Sequence, residues 1–182
     1  MKPIFTFSGP IGSGKSTVSK EFAERVGAKW NSFGSTVRRV ALSQGTEPTR
    51  ENLQKLGESL VKNEGQEFCR QVLAGAEAEA EDMVVIDGVR HADVLETLRR
   101  IVGPRRLVAI FVDAPFELRE KRVKARDGLS RDAILRLQTH STEIQVEASL
   151  KEKADLILLN DNNRDESQRK LIEWAKERGL LP

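Results

Sequence analysis

Cysteine is nearly absent from this 182-residue sequence: Cys69 stands alone, so no internal disulfide can form. With no secretory leader in the first residues, the sequence predicts a reducing, cytoplasmic setting. Long apolar runs are missing too. LVAIFV at 107–112, among the longest, falls far short of the roughly 20 residues that cross a bilayer, which argues against a membrane partner. Charge of one sign is not in excess: 30 Lys and Arg face 28 Asp and Glu, a net charge of +2, and this speaks against binding nucleic acid. The two histidines, His91 and His140, have no companions at metal-ligand spacing and read as surface or capping residues. No repeat, low-complexity tract or proline-rich linker divides the chain. Residues 1–182 are therefore expected to form one domain, large enough to bury a substantial core.

What is present is an alternation of apolar runs with charged, amphipathic segments. The runs are PIFTFS at 3–8, MVVIDG at 83–88, RLVAIFVDA at 106–114 and ADLILLND at 154–161. Strands that are apolar almost throughout are buried on both faces, so these predict a parallel sheet with crossover helices on either side, a three-layer α/β/α fold. A fifth, weaker strand is predicted near AKWNSF at 28–33. Between Thr49 and Asn63, Leu53, Leu56 and Leu60 form one helical stripe; Phe68, Cys69, Val72, Leu73 and Ala76 form a second beyond Gly65, which predicts two helices with a break there. Cys69 and Trp174 read as core and Trp30 as a packing residue. Ser130 fits a helix N-cap, and Gly179 a helix stop.

Directly after the first apolar run comes GPIGSGKST at 9–17, which satisfies G-x-x-x-x-G-K-[ST] with a strand before it and a helix after it. Glycines let successive backbone N–H groups point into one concavity, and the start of the next helix adds partial positive charge. A triphosphate fits that nest. Gly9, Pro10, Ile11, Gly12, Ser13, Gly14, Lys15, Ser16 and Thr17 are thus the expected ATP-binding loop. Lys15 would reach the β- and γ-phosphates, and the Ser16 hydroxyl would help hold Mg2+.

Three classes share such a loop. A GTPase would show N-K-x-D; NDNN at 160–163 lacks the lysine. A motor would show further signature loops and a basic track, and neither is evident. A small-molecule kinase is favoured by arginines. FELREKRVKARDGLS at 116–130 spaces Arg119, Arg122 and Arg126 on one helical face, where guanidiniums could stabilise a phosphoryl group in transfer beneath a closing lid. VVIDGVR at 84–90 places Asp87 at the carboxyl end of a strand, where open α/β sheets bind ligands. Asp87 is a candidate base or magnesium ligand, with helix capping as the plainer alternative, and Arg90 a candidate grip on an acceptor phosphate. In GSTVRRV at 34–40, Arg38 or Arg39 could hold the same anion.

With these residues assembled, the chain resembles the nucleoside and nucleotide kinase superfamily of phosphate-loop proteins over nearly its whole length. The loop, RVKARDGLSRDAILRLQ and KADLILLND look like dephospho-coenzyme A kinase; VVIDGVRHADVLETLR looks like adenylate kinase and other nucleoside monophosphate kinases. The resemblance implies a five-stranded parallel sheet, an acceptor-binding helical region near 34–81 and a lid near 115–150. It implies Arg122 and Arg126 as lid residues and places Asn160 to Asn163 near the adenine of ATP. The pattern departs at Ser35, where both relatives usually carry an aspartate, and no Pro-Leu-Leu follows the third strand. Asp87 is then the only well-placed base, and transfer to an ionised phosphate needs none. The function expected is ATP- and Mg2+-dependent transfer to a nucleotide-like acceptor, preferably a (deoxy)nucleoside monophosphate. The alternatives are alcohol phosphorylation in the manner of dephospho-coenzyme A kinase and a regulatory ATPase without an acceptor.

Overall fold

A computed structural model of the chain describes residues 1–128, 141–161 and 163–182. The elements run β1 (Ile4–Ser8), α1 (Lys15–Val26), β2 (Lys29–Ser32), α2 (Phe33–Ser43), α3 (Arg50–Ala74), β3 (Val84–Asp87), α4 (Ala92–Ile101), β4 (Leu107–Asp113), α5 (Phe116–Asp127), α6 (Ser141–Glu152), β5 (Leu156–Leu159) and α7 (Arg164–Glu177). All five strands are parallel, in the order β2-β3-β1-β4-β5. The weak second strand forms one edge of the sheet; its first residue, Lys29, is exposed, which is why its apolar pattern is so faint.

Successive residues of a strand point to opposite faces, and the two faces hold two cores. Ile4, Ile86, Ala109 and Phe111 point toward α2, α3 and α4, where Phe33 and Phe68 meet edge-to-face at 5.2 Å. Phe5, Phe7, Val85 and Ile110 point toward α1 and α7, and Phe5 packs edge-on to Phe22 at 5.0 Å. Each fully buried phenylalanine contributes on the order of 2 kcal/mol through apolar burial. The central strands are therefore the fixed part of the molecule, and their carboxyl ends the fixed rim.

The two-helix expectation for 49–76 is met as two segments joined by a kink. Thr49 caps the first by accepting from the Asn52 N–H, and Glu64, one residue before Gly65, leaves helical geometry at φ −134°, ψ 25°. Cys69 is fully buried in the core, and burial pushes its thiol up to about 11. Trp174 is partly buried against the second core, its ring 4.6 Å from the Arg178 guanidinium. At the C-terminus α7 stops as expected: Gly179 takes φ 63° and the Leu180 N–H returns to the Ala175 carbonyl. Ser130 and His140 lie outside the described residues. Among those described, no helix is long and apolar enough to cross a membrane.

Candidate active site

The loop between β1 and α1 is held from behind. Gly9, Gly12 and Gly14 all have positive φ, at 140°, 80° and 84°, and each abuts protein where a side chain would stand. A Cβ on Gly9 would overlap the Val112 carbonyl oxygen. On Gly12 it would lie 2.7 Å from the Arg119 carbonyl oxygen and 2.9 Å from Val123, and on Gly14 2.5 Å from Asn160 Nδ2. The glycines are thus required by conformation and by close approach together. Unlike α2, α3 and α7, which carry side-chain caps, α1 begins at Gly14 with no side-chain cap and no acidic residue in its first turn. Its leading N–H groups are left for an anion.

Lys15 opens α1 at the same rim. Removal of water from its ammonium lowers its pKa from 10.5 to about 8; Arg90 and Arg126 add repulsion, while Asp87 and Glu147 oppose the shift. Such a lysine is short of negative charge, which a phosphate supplies. Glu147, on α6, carried no signal in the sequence: nothing local marks it, and the fold alone brings its charge to the loop.

Asp87 closes β3, in register with Phe7 of β1 on one side and Ser32 of β2 on the other. It is 4 % exposed, and burial raises its pKa against the opposing pull of Lys15, the Ser16 hydroxyl, Arg90 and the Gly88 N–H. It does not cap a helix: α4 starts five residues on, with His91 in the cap position and no side-chain cap bond. One oxygen, Asp87 Oδ1, is buried without a hydrogen-bond partner among the described residues. Magnesium takes hard oxygen donors, usually few from protein and several from water and phosphate. The Ser16 hydroxyl beside a carboxylate with an open lone pair fits that ion. Gly88 and Val89 both donate to the Phe7 carbonyl, at 3.0 and 3.1 Å, and this turn brings Arg90 out beside the loop.

The arginines of α5 separate in space despite their shared helical face. Arg119 donates from Nε to the Ala114 carbonyl at 3.1 Å. Arg122 Nη1 donates to the carbonyls of Gly12 and Ser13, at 3.3 and 3.1 Å, and Nη2 to that of Asn160 at 3.4 Å. The Asn160 side chain donates to the same Ser13 carbonyl at 2.8 Å. Arg122 and Asn160, expected at the nucleotide, therefore buttress the loop that would hold it. Burial lowers the Arg122 pKa, helped by the nearby Arg164. Arg126 is more exposed and forks onto its neighbour Asp127.

On the acceptor side Ser35 is fully committed to local structure. Its hydroxyl donates to Asn31 Oδ1 at 2.7 Å or to the Ser32 carbonyl at 2.8 Å, and it completes a capping box with Ser32 at the start of α2. Asn31 in turn donates to the Val72 carbonyl of α3 at 2.7 Å. Arg39 ties α2 to α3 through the Gln71 carbonyl at 3.3 Å, whereas Arg38 is exposed with no hydrogen bond or ion pair among the described residues. Trp30 donates to Ser19 Oγ at 3.1 Å and borders a depression on the flank of α1 with Lys20, Glu21 and Glu24; Asp87, Arg38 and Arg90 do not line it.

Comparison with known proteins gives concordant results. A family model described as "AAA domain" matches residues 8–138. A "UPF0200 protein" of Thermococcus gammatolerans is 32% identical over 97% of both chains. A "Cytidylate kinase" of Ignicoccus hospitalis is 30% identical over 78% of this chain and 75% of its own. Among solved structures, shikimate kinase from Acinetobacter baumannii in complex with shikimate superposes with a TM-score of 0.63 at 19% identity, covering 97% of this chain and 95% of that one. At that identity the likeness speaks for the fold alone, which is the five-stranded parallel architecture described above.

Proposed function

Because the chain belongs to this AAA domain family, and with it to the phosphate-loop small-molecule kinases, we propose that it transfers the γ-phosphate of ATP to a nucleoside monophosphate. Relatives named cytidylate kinase support the acceptor class. The observation that carries the reading is the convergence on one rim of Lys15, the open start of α1, the buried Asp87 with its unpartnered oxygen, and Arg90, whose charge bears on both Lys15 and Asp87.

The loop N–H groups and Lys15 bind and orient the triphosphate. Ser16 and Asp87 would hold magnesium, which when bound offsets charge on the β- and γ-phosphate oxygens. Arg38 and Arg90 face the acceptor's own phosphate. An acceptor phosphate oxygen then attacks the γ-phosphorus in line, the bond to the β-bridging oxygen breaks, and ADP leaves. With Ser35 spent on the capping box, no carboxylate stands at that position, and an already ionised acceptor needs none. Arg126 stabilises the charge that gathers on the moving group. Rate acceleration comes from positioning and electrostatic stabilisation.

The test is a transfer assay with labelled ATP, magnesium and a panel of CMP, dCMP, UMP, AMP, dephospho-coenzyme A and shikimate. A labelled nucleoside diphosphate is the expected product. ADP released at the same rate without any acceptor would instead mark an ATPase.

A further inference from the structure

Among the described residues, the Arg126 guanidinium is held by Asp127, to which the mechanism above gives no part. Arg126 and Asp127 are the last two residues of α5, which Gly128 ends in the left-handed conformation at φ 65°. Arg126 Nε donates to Asp127 Oδ1 and Nη2 to Oδ2, both at 2.7 Å, so the carboxylate takes one whole edge of the guanidinium. A guanidinium has a second edge, formed by Nη1 and the other N–H of Nη2, and the fork leaves it out. From the opposite side of the site Arg50, the first residue of α3, reaches Asp127 Oδ2 at 3.6 Å. One carboxylate thus joins the end of the donor-side helix to the start of the long acceptor-side helix.

This pair is a poor stabilising device. The Arg126 side chain is 64% exposed, and exposed ion pairs contribute only about 0–1 kcal/mol. It is a good orienting device. An arginine side chain carries about 2 kcal/mol of rotamer entropy, and one tethered at Nε has far fewer directions left for its outer edge. The charge so held acts at the loop, since Arg126 is among the groups that depress the Lys15 ammonium.

We propose that Asp127 is a positioning residue: it grips one edge of the Arg126 guanidinium and presents the other to the transferred phosphoryl group, with Arg50 tying that arrangement to the acceptor-side helix. This rests on the kinase reading, and in particular on Arg126 serving the moving phosphate. The tie also makes the orientation sensitive to movement of α3.

A double-mutant cycle separates the two claims. Arg126→Ala alone should lower kcat about a hundredfold, and an unchanged kcat would remove the role given to Arg126. Asp127→Asn, nearly isosteric but uncharged, should lower kcat about tenfold while changing the KM for ATP less than twofold. In the Arg126→Ala background the same substitution should change kcat by less than about twofold, because the residue it acts through is gone. Asp127→Glu should restore most of the rate, and circular dichroism melts should show all variants folded. A loss on Asp127→Asn that persists without Arg126, a gain in kcat, or no change at all would each overturn the proposal.

Discussion

The three glycines of the phosphate loop each meet protein at their backs, at Val112, Arg119 and Asn160, and two side chains, Arg122 and Asn160, bond the loop carbonyls. Across the site, Arg38 and Arg90 are both exposed residues, one on α2 and the other after the turn of β3, while α3 beyond is kinked at Glu64. The half proposed to take ATP is therefore held in shape by the protein alone. The half proposed to take the acceptor is anchored at its root, through Ser35, Asn31 and Arg39, and exposes Arg38 and Arg90 at its tip. Phosphoryl transfer gains from this division: a preorganised cup needs no rearrangement as charge develops, whereas a pliable acceptor side can close over its substrate and exclude water.

Substitutions should separate the two halves. The largest effect is expected at Lys15, where Lys15→Ala should lower kcat about a thousandfold with the fold intact; near-normal turnover in labelled-ATP assays would break the donor-side account. Gly12→Ala, which puts a Cβ 2.7 Å from the Arg119 carbonyl in a left-handed conformation, should cost about a hundredfold in kcat/KM for ATP by displacing the loop. Arg38→Ala and Arg90→Ala should each raise the KM for the acceptor about tenfold, and Arg38→Ala should leave the KM for ATP within about twofold. Equal losses for both substrates at Arg38 would mean that the halves are not separate.

Much of this was legible in the sequence, for physical reasons. The central strands announce themselves because both faces are buried, and the loop because its glycines, lysine and serine stand between a strand and a helix. The edge strand β2 was faint because it is short, begins with an exposed lysine and buries two polar residues, Asn31 and Ser32. Helical spacing put Arg119, Arg122 and Arg126 on one face but could not say what each would meet, and one meets a loop carbonyl where a phosphate was expected. Ser35 was readable only as a missing aspartate; its capping box depends on the backbone turn at Ser32. The contact of Asp127 with Arg50 and the effect of Glu147 on Lys15 join residues far apart in the chain, which only the fold brings together.

The smallest expected effect is on stability, and it carries a sign. Asp87 has a folded pKa raised above its ordinary value of about 3.9, so its ionised form costs folding free energy once pH exceeds that value, and no cost exists below it. Asp87→Asn should therefore raise the melting temperature at pH 7 and leave it nearly unchanged at pH 3, while abolishing transfer. A lower melting temperature at pH 7 would mean that the carboxylate stabilises the rim.

The central claim is that Lys15 awaits a phosphate in a preformed cup, and proton linkage tests it most directly. With a pKa of about 8 in the free protein, Lys15 is partly neutral at pH 8.5, and a bound triphosphate should restore its charge. Calorimetric titration of magnesium-ATP at that pH, in two buffers of different ionisation enthalpy, should show binding with net proton uptake that disappears in Lys15→Met. Binding heats that agree between the buffers, or no binding at all, would contradict the account.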